Sequence, residues 1–167
     1  TFNIRRKYLK CFFSYLAKER IIPKNPIDFP VRKDECEARN ISQEVLVELL
    51  KQPDKKTFPG LRDYCLILLT LDTGIRPGEA LFLLPKDVNF MSLEITIRNE
   101  ISKTKVTRTV PISSLTATHL QKLMKARLST WSNTIPLFCS YEGKPMLESS
   151  WGHRLKKYSQ QICHSIR

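Results

Sequence analysis

Apolar residues recur at helical spacing over much of this chain and switch to strict alternation in its middle. Ile4, Tyr8, Cys11, Phe12, Tyr15 and Leu16 mark one face of a helix over residues 2–20, with Arg5, Arg6, Lys7, Lys10 and Lys18 largely on other faces. Pro23 and Pro26 end that pattern, and the proline-rich, charge-dense stretch 23–40 reads as a linker. Ser42 is a candidate N-cap for a second helix through Lys51, with Val45, Leu46, Leu49 and Leu50 inward. A third helix, Leu61 to Leu71, is apolar on most faces and stops at Gly74. Pro77 suits the first turn of a further helix, expected to reach Leu84 with Leu81, Phe82 and Leu84 in the core.

Leu93, Ile95 and Ile97 then alternate with Glu94, Thr96 and Arg98, the period of a half-buried strand, and residues 107–112 form a second. Ser102-Lys103-Thr104-Lys105 falls in the bend between them. A helix over 115–129 follows, then a short apolar stretch, Pro136 to Cys139, read as an edge strand. Residues 147–163 form a last basic helix with Trp151, Leu155, Tyr158 and Ile162 on its apolar face. The pattern predicts an α+β protein, mainly helical, with one small antiparallel sheet.

Composition adds a core and a charge distribution. A hydrophobic fraction of 41% supports a packed interior and excludes wholesale disorder. The longest apolar run, Cys65 to Leu71, is far too short to cross a bilayer, no secretory signal opens the chain, and a membrane partner is not expected. The five cysteines include no CxxC pair, which argues against a disulfide framework or a zinc site and suits the cytoplasm; Cys11 and Cys65 fall within apolar patterns and read as core. No cofactor or metal is expected, since His119 and His153 lack partners at ligand spacing and no glycine-rich phosphate loop is present. Asp63, Asp72 and Glu79 are too scattered for a metal cluster and read as helix caps or partners of arginines. The net charge of +12 is unevenly spread. Residues 1–40 hold ten basic against five acidic residues, 41–100 seven against nine, and 101–167 eleven against two. Two basic segments around a nearly neutral one point to a polyanion, with nucleic acid first.

The sharpest chemistry lies at Thr73-Gly74-Ile75-Arg76-Pro77-Gly78-Glu79. An arginine at a helix mouth, with unbonded N–H groups beside it, is a phosphate site, and Glu79 one turn on could orient it. The same residues also suit an Arg76–Glu79 pair that merely joins two helices.

Leu68 through Leu81, reading LLTLDTGIRPGEAL, resembles the first-arginine motif of the tyrosine recombinase (phage integrase) family. Ser102 through Ile112, SKTKVTRTVPI, resembles that family's lysine-bearing hairpin, and Phe12-Phe13-Ser14-Tyr15-Leu16 followed by Asn25-Pro26 resembles the exit of its core-binding domain. The resemblance covers nearly the whole chain. It implies a helix of a SAM-like core-binding domain over 1–28, an interdomain linker over 29–40 and a DNA breaking-rejoining catalytic domain over 41–167.

It also implies site-specific DNA recombination or integration, as mobile elements use, through a 3′-phosphotyrosine intermediate. Double-stranded DNA would be the partner, with a homo-tetramer assembling on it. Arg76 would clamp the scissile phosphate and Lys103 would protonate the leaving 5′ oxygen, with Lys105 the competing lysine. Lys105 and Arg108 would contact the DNA backbone. His164-Ser165-Ile166-Arg167 matches the family's His-x-x-Arg literally but follows a helix with almost no turn, so that motif lies there or further downstream. The nucleophilic tyrosine is expected beyond residue 167, which would leave the fragment able to bind DNA and unable to complete cleavage. A non-catalytic DNA-binding accessory protein of the same architecture is the alternative.

Overall fold

The structure, a computed structural model, describes residues 2–32 and 41–165, the last three by backbone alone. The chain forms two compact units, Thr1–Asn40 and Ile41–Arg167.

The first unit is built on helix α1, Phe2–Lys18, whose hydrophobic side chains are largely exposed. Cys11, expected in a core, is exposed with them, because a single helix has no second layer to cover it. Residues 29–32, expected in the linker, run back along α1. Asn25 Nδ2 donates to Lys10 O at 2.9 Å and to Ser14 Oγ at 2.7 Å, and Asn3 and Arg32 exchange two hydrogen bonds. Phe29 meets Phe2 with the rings tilted at 44°, and its carbonyl accepts from Arg6 Nε. Residues 33–40 of the expected linker lie outside the described residues.

The second unit holds the core. Its helices are α2, Gln43–Lys51; α3, Phe58–Thr73; and α4, Pro77–Ala80. Strands β1, Val88–Asn89; β2, Glu94–Ile97; and β3, Arg108–Pro111, follow, then helices α5, Ser114–Lys125, and α6, Glu148–Ser165. Helix α3 is the centre, with Cys65, Leu66, Ile67 and Leu69 buried among Leu120 and Leu123 of α5 and Trp151 of α6. It begins before Leu61 because Thr57 caps it, accepting from Gly60 N, and Pro59 sits in its first turn. Ser42 takes the N-cap position of α2 but makes no capping bond with its side chain. Among the described residues no helix is long and apolar enough to cross a membrane.

The sheet runs β1-β2-β3, both pairs antiparallel, with Ile95 opposite Val88 on one side and Val110 on the other, and Ile97 opposite Arg108. Ile95 and Ile97 are fully buried, as alternation requires.

Two further expectations, at Leu84 and at Pro136–Cys139, differ from the structure. The helix from Pro77 does not reach Leu84, because Pro85 follows and the chain extends before it. Leu81 and Leu83 therefore face inward and Phe82 outward, and the Leu83 carbonyl accepts from Leu137 N at 2.7 Å. Pro136–Cys139 forms no strand beyond one bridge, Cys139 to Pro145, though Leu137, Phe138 and Cys139 are fully buried. Its backbone groups bind side chains and loops instead, including Arg62 Nη1 on the Cys139 carbonyl at 2.8 Å.

Candidate functional site

Helix α3 delivers the chain to the site and stops there. Gly74 adopts φ +64°, which only glycine takes without strain, and its N–H bonds to Thr70 O at 3.0 Å. Thr73 Oγ1 donates to Leu69 O and accepts from Ile75 N, and buried Ile75 anchors the turn. Arg76 then stands at the N-cap of α4 with its side chain 53% exposed. Helix α4 is only four residues long, so an anion meeting this turn would face the arginine fork rather than a helix dipole.

Glu79 is the hub beneath Arg76. Only 2% of this residue is exposed, yet four donors or charges from three elements meet its carboxylate. Arg108 grips both oxygens, Nη2 to Oε2 at 2.5 Å and Nη1 to Oε1 at 3.3 Å. The backbone N–H of Lys103 donates to Oε1 at 3.1 Å, and Arg76 Nη1 lies 3.6 Å from the same oxygen. The Arg108 bonds hold the carboxyl below its usual range; burial opposes this, and the Lys103 N–H and the Arg76 charge add to it.

The hairpin turn is fastened to that hub. Ser102, buried, accepts from Arg108 Nη1 at 3.3 Å and shares a hydrogen bond with Thr104 at 3.0 Å. Lys105 N donates to Ser102 O, and Lys105 takes φ +56°, closing the turn. The base of the hairpin is pinned by Arg98, which pairs with buried Asp87 and donates to Phe82 O.

Arg76, Gly78, Glu79 and Lys103 consequently line one cleft, together with Glu148 from the first turn of α6. Of the two hairpin lysines, Lys103 lines it and Lys105 does not. Arg108, expected at the DNA backbone, has both terminal nitrogens on Glu79 and Ser102. Glu148 escaped the sequence reading: the approach of α6 to α4 is tertiary, and only the close packing at Gly78 marks it, since a Cβ there would come 3.1 Å from Glu148 Oε2.

A second polar cluster braces α3 against α6. Asp63, fully buried, accepts Arg62 on Oδ1 and both Arg154 and the Tyr158 hydroxyl on Oδ2. Asp72 accepts from Ser113 N at 2.8 Å, at the N-cap of α5. Among the described residues no three His, Cys, Asp or Glu side chains converge as a metal site, and no tyrosine lines the cleft. Helix α6 runs through position 164 to Ser165, and Arg167 lies outside the described residues.

Comparison with known proteins fits this geometry. Residues 39–165 match the model of the phage integrase family. The tyrosine recombinase XerC of Chlamydia caviae is 30% identical over 166 residues, covering 96% of this chain and 52% of that protein. XerC of Chlamydia trachomatis serovar L2 is 27% identical over 163 residues, covering 93% of this chain and 50% of that protein. The Tn1549 transposon integrase, solved in complex with circular intermediate DNA, has the same fold with a TM-score of 0.76 at 21% identity, over 98% of this chain and 58% of that one. The chain spans about half the length of the curated relatives it matches. On the family match and the shared fold, this chain belongs to the phage integrase family, the tyrosine recombinases.

Proposed function

We propose that the intact protein cuts and rejoins duplex DNA at a specific site through a 3′-phosphotyrosine link. One observation carries this reading: Arg76 and Lys103, 27 positions apart in sequence, line the same cleft above a buried carboxylate that bonds the lysine's own backbone. Relatives named as recombinases, and integrases solved with DNA, support it.

In the proposed reaction a tyrosine hydroxyl gives up its proton to solvent and attacks the scissile phosphorus, forming the P–O(Tyr) bond as the P–O5′ bond breaks. Arg76 binds the non-bridging oxygens and offsets charge gathering on the pentacoordinate phosphorus. The Lys103 ammonium gives its proton to the departing 5′ oxygen. Lys105, exposed at the turn, meets the DNA backbone, and Arg108 acts there chiefly through Glu79. Among the described residues no tyrosine lines this cleft: Tyr64 is in the core and Tyr158 is bonded to Asp63. Residues 1–28 serve as a core-binding helix, 29–40 as linker and 41–167 as catalytic domain. The intact protein works in the cytoplasm as a tetramer on DNA.

The test is Arg76→Ala in the intact protein with a nicked duplex carrying its recombination site. Loss of covalent protein–DNA product with DNA binding retained is expected. Retained cleavage would remove Arg76 from the reaction, and an intact parent that binds but never cleaves would make the protein a non-catalytic accessory factor.

A further inference from the structure

We propose that Arg108 is a positioning residue for the phosphate site: by occupying the Glu79 carboxylate and fastening the lysine-bearing turn, it leaves the Arg76 guanidinium free to take phosphate. The inference rests on the reading of Arg76 as the phosphate clamp.

Two guanidiniums and a backbone N–H meet at Glu79, and there is one carboxylate between them. Arg108 wins it. Its fork reaches both oxygens, at 2.5 and 3.3 Å, whereas Arg76 stands at 3.6 Å, beyond hydrogen-bond range. Arg108 comes from β3, where its backbone is registered opposite fully buried Ile97, so the fork is aimed by the sheet. Arg76 comes from the mouth of a four-residue helix and keeps half its side chain in solvent.

Removing Arg108 would leave a buried carboxylate with a single backbone N–H. Such a group is costly unless paired, and the nearest remaining cation is Arg76, one helical turn away. Drawing Arg76 down onto Glu79 would spend the donors that phosphate needs. The same loss would remove the 3.3 Å bond from Arg108 to the Ser102 hydroxyl, leaving the turn that presents Lys103 tied to Glu79 by the Lys103 N–H alone. Lysine cannot replace this fork, since a single ammonium cannot grip two carboxylate oxygens and a hydroxyl at once in a fixed plane.

The test uses Arg108→Met and Arg108→Met/Glu79→Gln in the intact protein, with single-turnover cleavage of a nicked duplex and DNA affinity read separately. Arg108→Met should slow cleavage roughly 100-fold, the cost of about 1 Å of misplacement, while DNA affinity changes by less than about threefold. Adding Glu79→Gln removes the carboxylate that captures Arg76 and should recover at least about tenfold of that loss. A scaffold role predicts no recovery, and an unrecovered double variant or a parental rate in Arg108→Met overturns the proposal. If Arg108→Met does not fold, Arg108→Lys replaces it: an intermediate rate supports the proposal and a parental rate overturns it. A second readout does not depend on cleavage. In the 167-residue chain, the Arg76 side-chain Nε–H NMR resonance is followed during titration with inorganic phosphate. It should respond in the parent and lose that response in Arg108→Met; equal responses overturn the positioning role. If Arg76→Ala cleaves normally while the titration behaves as expected, the functional reading fails and the Arg108 geometry stands.

Discussion

The hydroxyl of Tyr158 donates to Asp63 Oδ2 at 2.7 Å, tying α6 to the first half of α3 inside the protein. Asp63 is fully buried and receives Arg62 and Arg154 as well, so every lone pair direction of a buried charge is answered. In this structure Tyr158 packs and donates to Asp63, and it does not line the Arg76 cleft.

Unequal costs follow for the two partners. Tyr158→Phe removes one donor from a carboxylate that keeps two arginines, and should lower stability by about 1 kcal/mol. Asp63→Ala leaves Arg62 buried without its partner and should cost about 3–5 kcal/mol. Urea unfolding at neutral pH measures both, and equal losses would mean that the cluster does not act as an ion pair. In the intact protein, Tyr158→Phe should keep its cleavage, and abolition would make Tyr158 the nucleophile.

Glu79 sets an acid limit on stability. Its carboxyl is held below the ordinary 4.5, chiefly by the Arg108 bonds, so the folded state keeps it ionised to lower pH than the unfolded chain does. Its contribution is therefore complete above about pH 4.5 and is lost as pH falls through the lower, folded value. Asp72 acts in the same direction: burial raises its pKa, but the Ser113 N–H and the Ser113 and Thr116 hydroxyls more than offset this. Unfolding midpoints followed from pH 6 downward, on the order of half-unit steps, should fall more steeply in the parent than in Glu79→Gln. Parallel curves would show that Glu79 is not the group titrating.

These particulars mark what the sequence could reveal. Thr73 through Glu79 was legible because backbone chemistry alone dictates it: a glycine at positive φ, a proline in a first turn and an arginine between them. Ile95 and Ile97 were legible from alternation. The Glu79–Arg108 pair was not, since it joins residues 29 apart and no local pattern says which face of a half-buried strand an arginine will use. Phe82 was misread because helical spacing and extended spacing differ little over Leu81-Phe82-Leu83-Leu84, and Pro85 decided between them. Cys11 was misread because the periodicity of α1 gives a face and not the layer that would cover it.

Glu148 places a negative charge in a cleft whose other ionised groups are Arg76, Lys103 and the already paired Glu79. Its carboxylate opposes any phosphate that enters. Glu148→Gln should tighten binding of inorganic phosphate by on the order of threefold to tenfold at low salt, with the gain shrinking as ionic strength rises. Isothermal titration at two salt concentrations measures this. Unchanged affinity at low salt would place the bound phosphate outside the cleft.

The two hairpin lysines separate by a chemical test. Lys103 lines the cleft with Arg76, and its backbone N–H is bonded to Glu79, which anchors the start of its side chain there. Lys105 takes a positive φ, its backbone N–H closes the turn on Ser102 O, and it does not line the cleft. A proton donor to the 5′ oxygen is dispensable when that oxygen is replaced by sulfur, because a thiolate leaves without protonation. Lys103→Ala should therefore lose roughly 100-fold or more on a normal nicked duplex and recover most of it on the 5′-phosphorothiolate. Lys105→Ala should weaken binding in a salt-dependent way and show no thio rescue. Rescue of the Lys105 variant alone would transfer the acid role to it, and the turn would then have to reverse its two lysines on binding DNA.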